Sequence, residues 1–185
     1  MASSLAKQQL FAQISCEVRN KISPAFICST KTEHGNTQLS ERIIIKTIST
    51  ILDTMGLSYE EAGSQQSKDF RNVGSIDLNI EVKKTDTLTI FFNDTCPCKD
   101  IFYVILFTGK QYKKSSDKNI PPQLLFLNGE EFIKDSPWLE EYIREITALK
   151  EKYARGPNKK LLSGIMEVYP RPTFKANISK FIYMT

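Results

Sequence analysis

The run F-Y-V-I-L-F at residues 102–107 is the feature that most restricts how this chain can fold. Alternate side chains of a strand point to opposite faces of a sheet, so a fully apolar run leaves no face for water. We therefore expect a central strand that other elements cover on both faces. With 185 residues, the chain is long enough to supply that cover within one domain.

Apolar residues at helical spacing predict three helices, over about residues 4–21, 38–55 and 136–155. Pro24 is expected to stop the first helix and Gly56 to cap the second, while Ser136 caps the third. Alternating or fully apolar runs between turn residues predict strands. They are expected at about residues 57–62, 65–73, 75–84, 87–93, 102–107, 123–127, 165–169 and 178–183.

The order of these elements predicts a mixed α/β fold, in which a central mixed β-sheet is flanked by helices. We expect a single domain over residues 1–185. Its core is expected to span about 38–155, followed by a strand-like extension over 156–185.

Composition limits the classes of protein to which the chain can belong. No apolar run approaches the ~18 residues of a membrane span, and the N-terminus lacks a secretory signal. We therefore expect an intracellular protein with no membrane partner. The net charge of +4 is compatible with a nucleic-acid partner without requiring one.

The residue inventory also excludes several kinds of active site. A single histidine, His34, excludes sites that need two, and neither G-x-S-x-G nor G-x-x-x-x-G-K-[ST] occurs. The four cysteines form no C-x-x-C pair. We expect free thiols, although C-P-C at 96–98 could bind a soft metal.

An E-x-K pattern lies inside the otherwise apolar strand predicted at 75–84. Glu81 and Lys83 point to the same face because they are two residues apart, while Ile80 and Val82 point to the core. The pattern is compatible with a solvated face on a half-exposed strand. The two apolar strands that follow instead indicate a position inside the sheet, where charges need partners or a metal.

A second carboxylate is predicted to lie beside Glu81. Asp77 precedes Glu81 by four residues on the same strand, which is roughly 13 Å and too far for both to hold one small cation. A hairpin turn at Gly74-Ser75 brings Asp69 to within about one residue of lying opposite Glu81. Asp69 is therefore the preferred partner, and Asp77 is kept as the alternative.

Two carboxylates beside a lysine are suited to metal-assisted chemistry. Mg²⁺ prefers oxygen ligands and retains waters, so Asp69 and Glu81 are the predicted metal ligands. Lys83 could hold or help to deprotonate an attacking water and offset charge in the transition state. The arrangement predicts metal-assisted hydrolysis of a phosphodiester, with Mn²⁺ able to replace Mg²⁺.

These residues carry a resemblance to the PD-(D/E)XK nuclease superfamily. The aspartate on one hairpin arm and E-V-K on the other resemble its active site. The stretches S-K-D-F-R-N, I-E-V-K-K-T-D, F-F-N-D-T-C-P and F-Y-V-I-L-F-T-G-K are more specifically similar to type II restriction endonucleases. Lys68 stands where the family usually has a proline before the motif aspartate.

The resemblance implies a restriction-endonuclease-like core of a helix, three meandering strands, a further helix and a strand. The segment 136–155 is the candidate for that further helix. It also implies a catalytic role for Glu41, on the helix before the first core strand, although an acid in a first helical turn is favoured by the helix dipole alone. The implied activity is sequence-specific cleavage of double-stranded DNA by a homodimer within a restriction system.

Basic residues cluster within about 110–114, 150–160 and 169–175. Such stretches suit phosphate contacts, whose affinity falls with salt, but they are also common on solvated surfaces. The 156–185 extension is a candidate element for DNA contact or dimerisation. The residues predicted to contact DNA are Lys110, Lys113, Lys114, Arg155, Asn158, Lys159, Lys160 and Arg171.

Two other functions remain open from the sequence. A junction resolvase or repair nuclease of the same superfamily would keep the chemistry and change the substrate. A non-enzymatic DNA-binding domain would contain the E-x-K pair as a structural ion pair only. Digestion of plain duplex DNA into discrete fragments separates these functions from a restriction endonuclease.

Overall fold

Strand β5 (Ile101–Phe107) lies inside the main sheet, and all seven of its residues are buried. It runs parallel to β3 (Leu78–Thr85) and antiparallel to β6 (Gln123–Asn128). Its alternate side chains enter two separate hydrophobic clusters, one on each face of the sheet. The prediction of a central strand covered on both faces is confirmed.

The structure is a computed structural model, and it describes residues 4–31, 37–61, 68–93, 96–110, 119–155 and 173–183. Its α-helices are α1 (Ser4–Lys21), α2 (Pro24–Ser29), α3 (Thr37–Thr54), α4 (Glu130–Ile133) and α5 (Trp138–Leu149), which continues as a π-helix over Lys150–Arg155. The remaining strands are β1 (Glu60–Glu61), β2 (Phe70–Val73), β4 (Thr89–Asn93) and β7 (Thr173–Asn177). No helix in the described ranges is both long and apolar enough to cross a membrane.

Among the described residues, the main sheet has five strands in the order β1-β2-β3-β5-β6, with one parallel pairing among antiparallel ones. The predicted mixed α/β class with a central mixed sheet is confirmed. β4 and β7 form a separate two-stranded antiparallel ribbon. The prediction of one domain over residues 1–185 stays a prediction.

Each face of the sheet has a different cover. Helices α1 and α3 cover one face through residues such as Ile14, Val18, Ile48 and Leu52. Their apolar periodicity explains why the predicted helix bounds agree with the observed ones to within a residue. The β4–β7 ribbon, with helix α4, covers the other face.

Pro24 begins a helix instead of only ending one. The Ser23 hydroxyl accepts a hydrogen bond of 3.1 Å from the Phe26 N–H at the start of α2. Proline suits a first helical position because that residue's N–H has no partner within the helix. Residues 24–29, which lie between the first two predicted helices, therefore form the additional helix α2.

The predictions at the C-terminal side need two corrections. Ser136 does not cap α5 through its side chain; Pro137 occupies the cap position, and the Ser136 carbonyl accepts the Leu139 N–H. Residues 179–181 form a 3₁₀-helix, not part of a strand at 178–183, because the Asn177 side chain accepts the Ser179 N–H and ends β7. The strand predicted at 165–169 lies outside the described residues.

The connection from β3 to β5 differs from the one that the resemblance implies. Within its described residues, 86–93 and 96–100, it contains strand β4 and no helix. Helix α5 follows β6 along the chain, so it is not the crossover between the two parallel strands. The role of 136–155 as the further helix of the core stays a prediction, because residues 156–172, which follow it, lie outside the described residues.

Gly129→Ala is expected to destabilise the protein by roughly 3 kcal/mol, as an overpacked core substitution does. A Cβ at Gly129 would lie 1.9 Å from the Cys98 carbonyl oxygen, a backbone atom that cannot rotate away. Gly56→Ala is the control: its Cβ would meet nothing within 4 Å, and only the φ of +69° penalises it, by about 1 kcal/mol. Urea unfolding measures the decrease in the free energy of unfolding for both variants. Equal decreases would contradict a close contact between a Cβ at position 129 and the Cys98 carbonyl.

Candidate active site

The β2–β3 hairpin brings Asp69 and Glu81 together. Phe70 pairs with Ile80, so Asp69 and Glu81 occupy the next positions at the open end of the pairing. The four-residue turn over 74–77 pairs Val73 with Leu78, and the register then shifts by one residue between Val73 and Phe70, which places Asp69 opposite Glu81. Asp69 therefore lies within one residue of the position opposite Glu81, as predicted, although the turn is longer than the one predicted at Gly74-Ser75 and a register shift contributes to the alignment.

Each carboxylate accepts a backbone hydrogen bond from the opposite arm. The Val82 N–H donates to Asp69 Oδ2 at 2.7 Å, and the Lys68 N–H donates to Glu81 Oε2 at 2.6 Å. Lys68 has a φ of +77°. A proline at this position has no N–H and a φ fixed near −65°, so it could not make the bond to Glu81.

Lys83 completes the group on strand β3. Its Nζ lies 2.5 Å from Glu81 Oε1. Glu81 is only 9% exposed, and it lies opposite buried Tyr103 on β5. A carboxylate in such surroundings needs charge-assisted partners, and the Lys83 ammonium and Lys68 N–H supply them.

One cavity of about 620 Å³ contains all four predicted catalytic residues. Asp69, Glu81 and Lys83 line it from the hairpin, and Glu41 lines it from helix α3. The structure therefore brings Glu41 to the same space as the other three. The negative charge of Glu41 repels that of Asp69 and makes a small contribution to the raised pKa of Asp69.

The electrostatics of the cavity oppose two ionised carboxylates. Burial, then the charge of Glu81, raise the pKa of Asp69 from 3.8 to about 6. The Val82 N–H and the Lys83 ammonium act in the opposite direction and only partly offset the rise. Two acidic groups held together in this way favour the uptake of a proton or of a cation.

The donor atoms fit a hard divalent cation. Asp69 and Glu81 would hold it through carboxylate oxygens, and Mg²⁺ characteristically binds one or two carboxylates while keeping waters and substrate oxygens. Across the part of the chain that the structure describes, no group of three or more His, Cys, Asp or Glu side chains forms a complete metal site. A cation at Asp69 and Glu81 would therefore need waters and substrate oxygens to complete its coordination.

Asp77, the alternative ligand, has other contacts. It lies in the hairpin turn with a φ of +56° and accepts a 2.9 Å hydrogen bond from Lys7 Nζ. The Lys7 hydrogen bond, followed by one from Asn79, lowers the pKa of Asp77. The geometry favours Asp69 as the partner of Glu81.

The predicted DNA contacts are only partly within the described residues. Lys110 forms a β-bridge with Ile120, and Arg155 is the last residue of the π-helix after α5. The other six lie outside the described residues: Lys113, Lys114, Asn158, Lys159, Lys160 and Arg171. Their DNA contacts stay predictions.

Sequence reasoning did not identify Lys84 and Asp86, which line the same cavity. Lys84 Nζ lies 3.2 Å from Asp86 Oδ2, and the Thr108 hydroxyl donates to Asp86 Oδ1 at 2.7 Å. These contacts tie the end of β3 to the end of β5, next to Lys83. The K-x-D spacing of Lys84 and Asp86 could have indicated their ion pair from the sequence. Thr108 follows a different strand, and only the fold shows that it lies beside Asp86.

A scan against protein-family models found no matching family, and searches of curated proteins and of solved structures found no match to this chain.

Asp69→Asn is expected to stabilise the metal-free protein at pH 7 by about 2–3 kcal/mol, as follows from the pKa rise from 3.8 to about 6. Because the folded-state pKa is raised, the folded protein loses this much stability as pH rises from about 4 through 6. Asparagine carries no charge and can still accept the Val82 N–H. The gain should disappear below about pH 4.

Urea unfolding in EDTA at pH 4 and pH 7 measures this difference. Asp77→Asn is the matched control in the same hairpin. Since the Lys7 hydrogen bond lowers the pKa of Asp77, its stabilising effect is present above its unfolded-state pKa, and the substitution should lower stability at pH 7. A loss of stability at pH 7 in Asp69→Asn would contradict the repulsion between Asp69 and Glu81.

Proposed function

We propose that the protein is a Mg²⁺-dependent endonuclease of the PD-(D/E)XK type that cleaves double-stranded DNA at specific sequences, like a type II restriction endonuclease. The observation that carries the proposal is that the two arms of one hairpin place Asp69 and Glu81 side by side, each bonded to the backbone of the opposite arm. Lys83 Nζ lies 2.5 Å from Glu81, and all three residues line one cavity. An ion pair with a purely structural role needs one carboxylate. Here a second carboxylate adds repulsion to the buried pair.

The residues of the cavity have different roles in the proposed hydrolysis of a phosphodiester. When bound, Mg²⁺ supplies polarisation of the phosphoryl group and a lowered pKa for a coordinated water. Asp69 and Glu81 hold the cation through oxygens that the hairpin already orients. Lys83 donates hydrogen bonds to the attacking water or to a phosphate oxygen, and its ammonium offsets the negative charge that develops there.

The proposed substrate and assembly follow from the resemblance and the chain's charge. A net charge of +4 is compatible with a polyanionic partner. We propose a homodimer, because two-fold protein symmetry matches a palindromic site and allows each subunit to cut one strand. The proposed setting is a restriction system inside a prokaryotic or virus-infected cell.

Incubation with unmethylated phage DNA is expected to give discrete fragments with Mg²⁺ or Mn²⁺ and none in EDTA. Glu81→Gln, Lys83→Ala and Asp69→Asn should each lower the cleavage rate by about 100-fold or more, as the loss of an essential electrostatic group does. Glu81→Gln keeps an oxygen for the Lys68 N–H, so the fold should be retained. Gel electrophoresis measures the rates, and thermal melting verifies the fold.

Asp77→Asn is the matched control, because it removes a carboxylate from the same hairpin without touching the cavity. Its cleavage rate should equal that of the unmodified chain. Loss of cleavage in Asp77→Asn but not in Asp69→Asn would reverse the choice of ligand. A Mg²⁺-dependent smear would indicate a non-specific nuclease, and cutting confined to branched DNA would indicate a resolvase. Intact DNA from several sources in every lane would refute the nuclease function.

Glu41→Gln is expected to raise the Mg²⁺ concentration needed for half-maximal cleavage by about 10-fold, the effect typical of a group that supports metal ligands. Glu41 lines the cavity and influences Asp69, yet it lies on a different element from the hairpin. Titration of cleavage rate against Mg²⁺ measures the effect. Glu60→Gln, at an exposed glutamate on β1, is the control and should leave the titration unchanged.

A further inference from the structure

The β4–β7 ribbon has one face buried in the core. Ile90 and Phe92 on β4, together with Phe174 and Ala176 on β7, belong to or pack against the second hydrophobic cluster. These residues anchor the ribbon against the sheet. Because side chains alternate along a strand, the intervening residues point away from the core.

The outward face of the ribbon carries polar side chains around one aromatic ring. Thr89 pairs with Asn177, and Phe91 pairs with Lys175. Phe91 is 49% exposed, and both Lys175 and Asn177 are exposed. Lys175 Nζ lies 5.3 Å from the centroid of the Phe91 ring, so the two side chains stand side by side at the surface.

This outward face is continuous with the candidate active site. Thr89 and Phe91 line the same cavity as Asp69, Glu81 and Lys83. A phosphodiester held at the carboxylates would therefore place the adjoining nucleotides beside the ribbon. The exposed Phe91 ring is not part of the second hydrophobic cluster. The residues on either side of it in β4, Ile90 and Phe92, make the buried contacts instead.

We propose that the outward face of the β4–β7 ribbon reads base pairs in the major groove of duplex DNA. The inference rests on the proposed nuclease function for its ligand. The major groove of B-DNA, about 12 Å wide, admits a two-stranded β-ribbon. The positive charge of Lys175 suits the negative surface of that groove.

The side chains on this face are of the types that recognise base edges. Lysine donates to O6 and N7 of guanine, and threonine can bond to several base edges. Asn177 Oδ1 accepts the Ser179 N–H, and its Nδ2 can donate to an acceptor such as N7 of a purine. An exposed phenylalanine gives an apolar contact to the methyl group of thymine. Lys175, Asn177, Thr89 and Phe91 together can therefore distinguish several base pairs within one short site.

Enrichment of bound molecules from a pool of random-sequence duplex DNA tests this proposal, and EDTA in the buffer makes binding independent of cleavage. The full chain is expected to enrich a defined sequence. Lys175→Ala and Asn177→Asp should each lower discrimination at one or two base pairs by about fivefold or more. Asp at position 177 keeps an oxygen for the Ser179 N–H, so the turn that ends β7 is preserved.

Lys180→Ala is the matched control, because it removes the same charge from the exposed 3₁₀-helix just beyond the ribbon. It should keep the sequence preference of the unmodified chain, even if it weakens binding uniformly. Unchanged preference in both ribbon variants would overturn the proposal. So would the absence of any enriched sequence with the unmodified chain.

Parallel cleavage assays in Mg²⁺ separate this inference from the proposed nuclease function. Cleavage at the same sites by all ribbon variants would retain the nuclease and overturn base reading by the ribbon. Enrichment that depends on Lys175 and Asn177, without cleavage by the unmodified chain, would retain the ribbon's role and reject the nuclease.

Discussion

Burial of β5 on both faces is the constraint on which the rest of the structure depends. Seven buried residues in one strand require two covering layers, and helices α1 and α3 form one while the β4–β7 ribbon forms the other. Strand β3 pairs along the whole length of β5. Glu81 and Lys83 are therefore carried into the interior by the same pairing that completes the sheet.

Burial at this position changes the meaning of an E-x-K pattern. On a solvated strand, Glu81 and Lys83 would be an ordinary surface ion pair of little energetic consequence. In the interior, Glu81 needs the Lys68 N–H and the Lys83 ammonium together to offset its lost hydration. Asp69 then adds a second acid to a site that is already balanced. Asparagine could accept the Val82 N–H equally well without the charge, so the charge itself requires an explanation in function.

The sequence was informative wherever structure is set locally. Apolar periodicity predicted α1 and α3, and turn residues predicted the hairpin that brings Asp69 beside Glu81. The length of that turn, 74–77, and the register shift between Phe70 and Val73 were not predicted. The pairing of β4 with β7 joins residues 80 or more positions apart, and no local pattern specifies such a partner. For the same reason, the link from Asp86 to Thr108 and the position of Phe91 in the cavity could be found only from the fold.

Lys68 shows how a departure from a motif can belong to the same site. A lysine with a φ of +77° occupies a conformation that costs about 1 kcal/mol relative to the right-handed regions. That conformation aims its N–H at Glu81 Oε2, over 2.6 Å. Proline would avoid the strained φ but remove the donor, leaving the buried glutamate with fewer partners beside a second carboxylate. This chain therefore uses a backbone position that proline could not serve to stabilise the charge of Glu81.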